Sequence, residues 1–372
     1  MTAVPDKTDV VVVGGGPAGL AAAIAARLKG FDVVVADGGC PPIDKACGEG
    51  LMPETVASLQ RLGISFDSND GSPLRGIRFI SEGVSVTADF PVGQGIGLRR
   101  TVLHSKMAAH AEKIGVEFMW DSPVTQISSR AVQIRDKSFA TDCIVGADGS
   151  ASRVRRWSGL EDSTAPQNPR YAFRSHFGLA PWSEYVEVYW AEDAQAYVTP
   201  VANEEICVVV LSEKSAMRND VIAIKFPDLA PRLINAKVLG VERGAVTRTH
   251  RLKRIYKDNV VLVGDASGAV DAITGEGLNL SFQHAIALAD CLPSRNLSQY
   301  QKIHRQLEFR PLVTGYLLSL LGRQRFLRKR TIGAFMAEPQ LFARFLDLHL
   351  GYANRAQAFS AALRLGWHFA AV

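Results

Sequence analysis

Residues 10–37 constrain what this chain can fold into more tightly than any other stretch. Val10–Val13 is an unbroken β-branched run of the kind buried on both faces of a parallel sheet. It leads into Gly14-x-Gly16-x-x-Gly19, with Pro17 where the first turn of a helix tolerates it. The next residues, AGLAAAIAARLK, are strong helix formers, and Gly30 is the expected stop. A second β run, FDVVVAD, ends at Asp37, 23 residues after Gly14. Glycines at this spacing permit a tight turn and close backbone approach, the helix N-terminus attracts an anion, and the acid accepts hydrogen bonds from a ribose. The pattern predicts a dinucleotide-binding βαβ unit contacting its ligand through Gly14, Gly16, Gly19 and Asp37. A carboxylate at position 37 disfavours a 2′-phosphate, which leaves FAD or NAD. Seventeen uncharged residues separate Asp9 from Arg27, but Gly14, Gly15, Gly16, Pro17 and Gly19 interrupt them, so the stretch is not a membrane span.

At 372 residues, 47% hydrophobic and 21% charged, the chain has core enough for two or three cooperating domains, which excludes disordered and collagenous classes. Cys40, Cys47, Cys143, Cys207 and Cys291 are scattered and odd in number, with no C-x-x-C pair. Neither a disulfide framework nor a zinc site is expected, and a reducing cytoplasm suits them. The N-terminal MTAVPDKTD is unlike a basic-then-apolar signal peptide. The net charge of +5 is concentrated late: residues 296–372 hold 11 Lys/Arg against 3 Asp/Glu, a net +8 that leaves −3 for the remainder.

Further along, Pro53–Leu62 and a segment capped by Thr101 and running to about Ile114 have helical spacing, while Gly93-x-Gly95-x-Gly97 lacks a strand-turn-helix setting and is expected to be a loop. Between 171 and 260, YVEVYW, AYVTPV and EICVVVL are short, β-branched or aromatic, and separated by turn-like residues, the texture of a mostly antiparallel sheet. VVLVGDASG then returns to a buried strand, followed by a helix over about Gly277–Asp290 and helical segments at 298–320, 324–334 and 338–365. The eight histidines are dispersed without metal-ligand spacing, no G-x-S-x-G elbow occurs, and no aromatic-basic module supports nucleic-acid binding.

Three motifs fall in order: GGGPAGLAAA from Gly14, GADGSASRVRR at 146–156 and VGDASGAVDAITGEGLNLSFQHA at 263–285. They resemble the fingerprints of the flavoprotein superfamily that contains para-hydroxybenzoate hydroxylase-type monooxygenases and geranylgeranyl reductases. The resemblance implies FAD rather than NAD as the resident cofactor, with NADH or NADPH as a transient reductant. It implies further that Asp265 holds the ribityl chain, that Gly275 and Gly277 let a helix start approach the flavin ring, and that Asp148 and Gly149 form the conserved DG pair. Arg100 aligns with the position that reaches the ribityl or phosphate region, with Arg99 as its neighbour and competitor. DKACGEGLMP at 44–53 resembles the cysteine-bearing loop of the reductase branch, which makes Cys47 the catalytic candidate.

The expected architecture is α/β: a Rossmann-type FAD-binding domain from 1–75, 98–160 and 255–295, an inserted, mostly antiparallel β-sheet substrate domain from 76–97 and 161–254, and a helical C-terminal tail, 296–372. The expected function is FAD-dependent oxidoreduction of a small apolar or aromatic molecule. NAD(P)H-dependent hydroxylation is placed first, geranylgeranyl reductase-like reduction of alkene bonds second, and a non-catalytic flavin sensor or scaffold third. Gly268, where many hydroxylases have His, leans toward the reductases. GRQRFLRKR at 322–330, after PLVTGYLLSLL, suggests peripheral membrane contact through the basic tail.

Overall fold

The computed structural model describes residues 7–161, 169–213 and 220–370, so the N-terminal MTAVPD and part of the 161–254 segment lie outside it. Its first sheet has eight strands, five of them side by side and parallel in the order Val260–Leu262, Lys137–Gly146, Lys7–Val13, Val33–Ala36, Glu117–Met119. The register aligns Val13 with both Ala36 and Gly146, and Gly146 with Leu262. The residues that follow each of these strands, Gly14, Asp37, Ala147–Asp148 and Val263–Asp265, therefore emerge along one edge. This is the carboxyl edge, where open α/β sheets bind ligands. Helix Pro17–Leu28 packs an almost wholly buried alanine-rich surface between the sheet and helix Gly277–Cys291.

The second sheet has seven strands and is antiparallel except where Tyr185–Ala191 pairs in parallel with Gly76–Ser81. Strand periodicity sorts its side chains onto two faces. Val186, Val188, Trp190, Val209 and Leu211 join a core completed by the C-terminal helices, while Tyr189, Val198, Val208 and Val210 pack on the other side against Ile222, Phe226 and Leu229.

Three sequence expectations are corrected. Gly95–Gly97 is a strand rather than a loop, pairing with Gly50–Leu51 and Ser72–Leu74. A Cβ at Gly97 would run into the Pro200 carbonyl oxygen, so these glycines serve close backbone packing. Thr101 is not a cap: the helix is Arg100–Lys113, entered from Arg99. The segment 338–365 is two helices, Pro339–Leu350 and Arg355–Ala370, because Gly351 at φ +85° ends the first in a left-handed turn.

Candidate active site

A single cavity of about 930 Å³ runs from the carboxyl edge of the parallel sheet, under the antiparallel sheet, to the C-terminal helices. At its first end the walls are backbone. A Cβ at Gly14 would meet the Ala147 carbonyl group, and one at Gly19 would run into the Gly14 carbonyl oxygen, so turn, helix and strand meet only because both positions lack side chains. Gly15 is equally constrained by the Trp120 indole, and its carbonyl oxygen is 2.9 Å from His104 Nε2. Gly16, Gly149, Gly275 and Gly277 are different: a Cβ there meets nothing, and all four line the cavity. Asp37 accepts from the Gly15 and Gly39 amides at 2.6 and 2.7 Å, which fixes its carboxylate beside the turn.

The remaining sequence candidates distribute as follows. Asp148 lines the cavity while accepting from the Arg153 and Val154 amides and the Ser152 hydroxyl, so it both caps the helix Arg153–Trp157 and borders the cavity. Arg100 lines the cavity with its Nε unpartnered, whereas Arg99 is committed to an ion pair with Glu205. Asp265 borders the cavity opposite Lys45, whose Nζ lies 3.5 Å away. Arg155, adjacent to exposed arginines in the sequence, is buried and donates to the Ala266 and Ser150 carbonyls. Arg100, Asp148 and Asp265 border one continuous space, and its open glycine positions and bare helix start suit an extended dinucleotide carrying a ring system.

Cys47 also lines the cavity, half-buried, its Sγ 3.4 Å from the Glu49 amide. The loop that carries it is clamped from below by Arg174, which is 1% exposed. Arg174 Nη2 donates to both Asp44 oxygens at 2.8 Å, and Nη1 donates to Glu49 Oε1 at 3.2 Å. Glu49, itself 1% exposed, holds a left-handed backbone at φ +59° and also bonds His176 Nε2 through Oε2 at 2.6 Å and accepts from the Arg100 amide. A buried non-glycine residue in that conformation is strained, and here three partners hold it. Burial alone would raise the Asp44 carboxyl, but hydrogen bonds from Arg174 and Arg243 outweigh it and keep it below the ordinary carboxylate range.

Glu49, His176 and Cys207 bring ligand-type atoms within 4.8 Å of one another. The Arg174 guanidinium already lies 3.2 Å from both Glu49 and His176, however, so the cationic position is filled. Burial pushes the Cys207 thiol well up, with Glu49 adding to it, which further disfavours a thiolate ligand. Arg174 and His176 did not stand out in the sequence analysis. Their signal is two polar residues two apart in RYAFRSHFG, hence on one face of a strand otherwise fit for burial.

Beyond Cys47 the walls turn apolar: Met52, Val188, Trp190, Leu211, Phe335 and Phe342 are among the side chains that line the space. Of the aromatic residues on these strands, Trp190 and Tyr197 line the cavity, while the Tyr185 and Tyr189 hydroxyls bond Asp89 and Glu187.

A family model described as FAD binding domain matches residues 7–295. Among curated proteins, the chain is 28% identical over 336 residues to a menaquinone reductase of Mycobacterium tuberculosis, covering 80% of this chain and 79% of that one. It is also 28% identical over 345 residues to digeranylgeranylglycerophospholipid reductase 1 of Methanosphaera stadtmanae, covering 81% and 80%. Among solved structures it is similar to a flavoprotein/dehydrogenase from Cytophaga hutchinsonii, with a TM-score of 0.76 at 18% identity over 95% of both chains. A geranylgeranyl bacteriochlorophyll reductase-like protein from Thermoplasma acidophilum gives a TM-score of 0.70 at 20% identity, covering 85% and 89%.

Proposed function

The chain belongs to the FAD binding domain family and is an FAD-dependent oxidoreductase, and from that premise we propose that it reduces carbon–carbon double bonds in an isoprenoid or similarly apolar chain, with NADH or NADPH as electron source. The observation that carries this reading is the cavity. It continues from the dinucleotide end past one thiol into walls that are almost wholly aliphatic and aromatic, and it reaches Leu317, Leu320 and Leu365 in the C-terminal helices. A long, flexible, apolar substrate fills such a space, and the reductase names of the two curated relatives agree with it.

In this reading residues 1–75, 98–160 and 255–295 form the FAD-binding part, 76–97 and 161–254 the substrate sheet, and 296–372 its helical cover. Gly14 and Gly16 seat the pyrophosphate at the start of helix Pro17–Leu28, which Gly19 lets close onto the turn, and Asp37 holds the adenosine ribose. Asp265 and Arg100 bind the ribityl and phosphate region, with Asp148 and Gly149 at its border. Gly275 and Gly277 leave the start of helix Gly277–Cys291 bare toward the ring, where its dipole favours negative charge. FAD, when bound and reduced by NAD(P)H, would supply the hydride. Cys47, held by the Arg174 clamp, faces the substrate and gives a proton to the second carbon.

Peripheral contact with a membrane belongs to the same reading. Phe309, Val313, Tyr316 and Leu317 form an exposed stripe on helix Leu297–Arg323, and Phe359, Leu363 and Trp367 form another on Arg355–Ala370. Leu317 belongs to both the exposed face and the cavity wall, so the cavity opens there. Exposed basic residues, Arg323, Arg325 and Lys329 among them, flank this face. No helix among the described residues is long and apolar enough to cross a membrane.

The test is anaerobic reduction of the FAD-loaded protein, followed by prenylated and phenolic compounds with and without oxygen, with products identified by mass. A prenyl product that gains two hydrogens without oxygen supports double-bond reduction. A phenolic product that gains an oxygen atom establishes hydroxylation instead.

A further inference from the structure

Four helices bring ionisable side chains to one buried place beside the cavity, apart from the Arg174 clamp. They are Glu54 in the first turn of Pro53–Arg61, Glu276 just before Gly277–Cys291, Arg310 within Leu297–Arg323 and His349 near the end of Pro339–Leu350. His349 lines the cavity next to Thr274 and Gly275, and its Nε2 lies 3.6 Å from Glu276 Oε1. Glu276 is 2% exposed, and its other oxygen accepts from Asn279 Nδ2 at 3.4 Å. Glu54 faces Glu276, Arg310 and Tyr352, the last of which is 44% exposed at the surface.

The hydrogen bonding of this group is open where that of the Arg174 clamp is mostly closed. Both Glu54 oxygens, Glu276 Oε1, Arg310 Nε and His349 Nδ1 are buried without a well-formed hydrogen bond, the Glu54 carboxylate reaching only its own backbone and the His349 ring only the Thr274 backbone. A buried polar cluster kept for stability alone satisfies its own donors and acceptors, because each orphan is costly. Proton transfer requires successive groups to come within hydrogen-bond reach of each other or of one shared water, and unengaged donors and acceptors on neighbouring groups leave each able to take such a partner. Burial, with the Glu276 charge adding to it, pushes the Glu54 carboxyl up to about 7, so it carries a proton that an exposed glutamate has lost. Burial pushes the His349 imidazole down, despite the opposing Glu276 charge, which leaves it a neutral acceptor.

We propose that Glu54, Glu276 and His349 carry protons from the surface near Tyr352 to the cavity, with His349 as the delivering group. The inference rests on the FAD-dependent reading but on neither of its two chemistries. In double-bond reduction the hydride forms one C–H bond, the alkene electron pair takes the Cys47 proton to form the other, the path restores that proton to Cys47, and NAD(P)H leaves oxidised. Hydroxylation with the same donor and dioxygen also consumes one proton per turnover, which ends in water.

The experiment is anaerobic photoreduction of the FAD-loaded protein at pH 7 with a soluble indicator dye, which follows flavin absorbance and proton uptake separately and needs no substrate. Glu54→Gln and His349→Asn are expected to slow proton uptake about tenfold or more, as loss of a general acid does, with FAD content and melting temperature retained. Glu54→Asp should restore part of the rate. Infrared difference spectra of oxidised against reduced protein should show a protonated-carboxyl band that Glu54→Gln removes. Proton uptake within about twofold of the parent in both variants, a margin too small for a lost general acid, would overturn the path and leave the FAD reading standing. A purified protein unable to bind FAD would overturn both.

Discussion

The two ends of the cavity wall are built from opposite materials. Around Gly14 and Gly19 the surface is backbone against backbone, and side chains are excluded because carbonyl groups occupy the space where a Cβ would stand. Around Cys47 the surface is a loop lashed to a sheet by buried charge, Arg174 to Asp44 and Glu49 and Glu49 to His176. The first region is intolerant of volume and indifferent to charge at its turn positions. The second is intolerant of any imbalance of charge, because removing the guanidinium leaves the buried Glu49 carboxylate with no cation but His176 and Asp44 with only the exposed Arg243. A cofactor common to many chemistries is thus held by shape, whereas the residues that face the substrate are held by electrostatics.

Substitution at the glycines gives the largest expected effect and separates fold from binding. Gly19→Val puts three carbons where the Gly14 carbonyl lies, and should cost about 4 kcal/mol or more and abolish FAD retention. Gly16→Val meets no protein atom at its Cβ, so the fold should survive while the pyrophosphate site is filled. Melting temperature and the ratio of flavin to protein absorbance check the pair. If Gly16→Val retained FAD as the parent does, the turn would not be the pyrophosphate site and the shape argument for this end would fail.

Arg174→Met comes next. Breaking a buried pair by removing one partner costs about 3–5 kcal/mol, and here the fully buried Glu49 loses its guanidinium while Asp44 keeps only Arg243. Adding Asp44→Asn and Glu49→Gln should recover much of that loss, since neutral amides tolerate the missing charge. Denaturant unfolding of the single and triple variants tests this. The same proteins should show faster alkylation of Cys47, because the loop that presents it is no longer clamped. An Arg174→Met protein as stable as the parent would make the clamp incidental and erase the contrast between the two ends.

The difference between the ends also explains what the sequence made legible. Backbone walls need glycine at fixed spacing next to a strand and a helix, and spacing is visible in one dimension: Gly14, Gly16, Gly19 and Asp37 emerge on the sheet edge where the pattern required. Buried ion networks form between residues far apart in the chain. Arg174 lies 130 residues from Asp44 and 125 from Glu49, and although DKACGEGLMP marks the loop, neither acid differs in type from a solvated one, so nothing local marks them as partners of a buried arginine. The same holds for Glu54, Glu276, Arg310 and His349, which only helix packing brings together. The Gly95–Gly97 strand is misread for a related reason: glycine is written identically whether it gives a turn its freedom or lets two backbones touch.

The smallest expected effect on stability falls outside both ends, on the C-terminal face, and it sharpens the comparison by being neither volume- nor charge-critical to the fold. Phe359, Leu363 and Trp367 are 68%, 59% and 73% exposed, so Phe359→Ser, Leu363→Ser and Trp367→Ser should each change stability by no more than about 0.5 kcal/mol. Their work, if the cavity takes its substrate from a lipid surface, is done outside the protein. Vesicles of mixed phosphatidylglycerol and phosphatidylcholine should sediment the parent and shift its tryptophan emission to the blue, with binding weakened by salt because basic residues flank the stripes. The triple variant should remain in the supernatant with FAD content unchanged. A parent that ignores such vesicles yet sediments as a dimer would instead assign the stripes to a second copy of the chain, and the cavity mouth at Leu317 would then be a subunit boundary rather than a route from the bilayer.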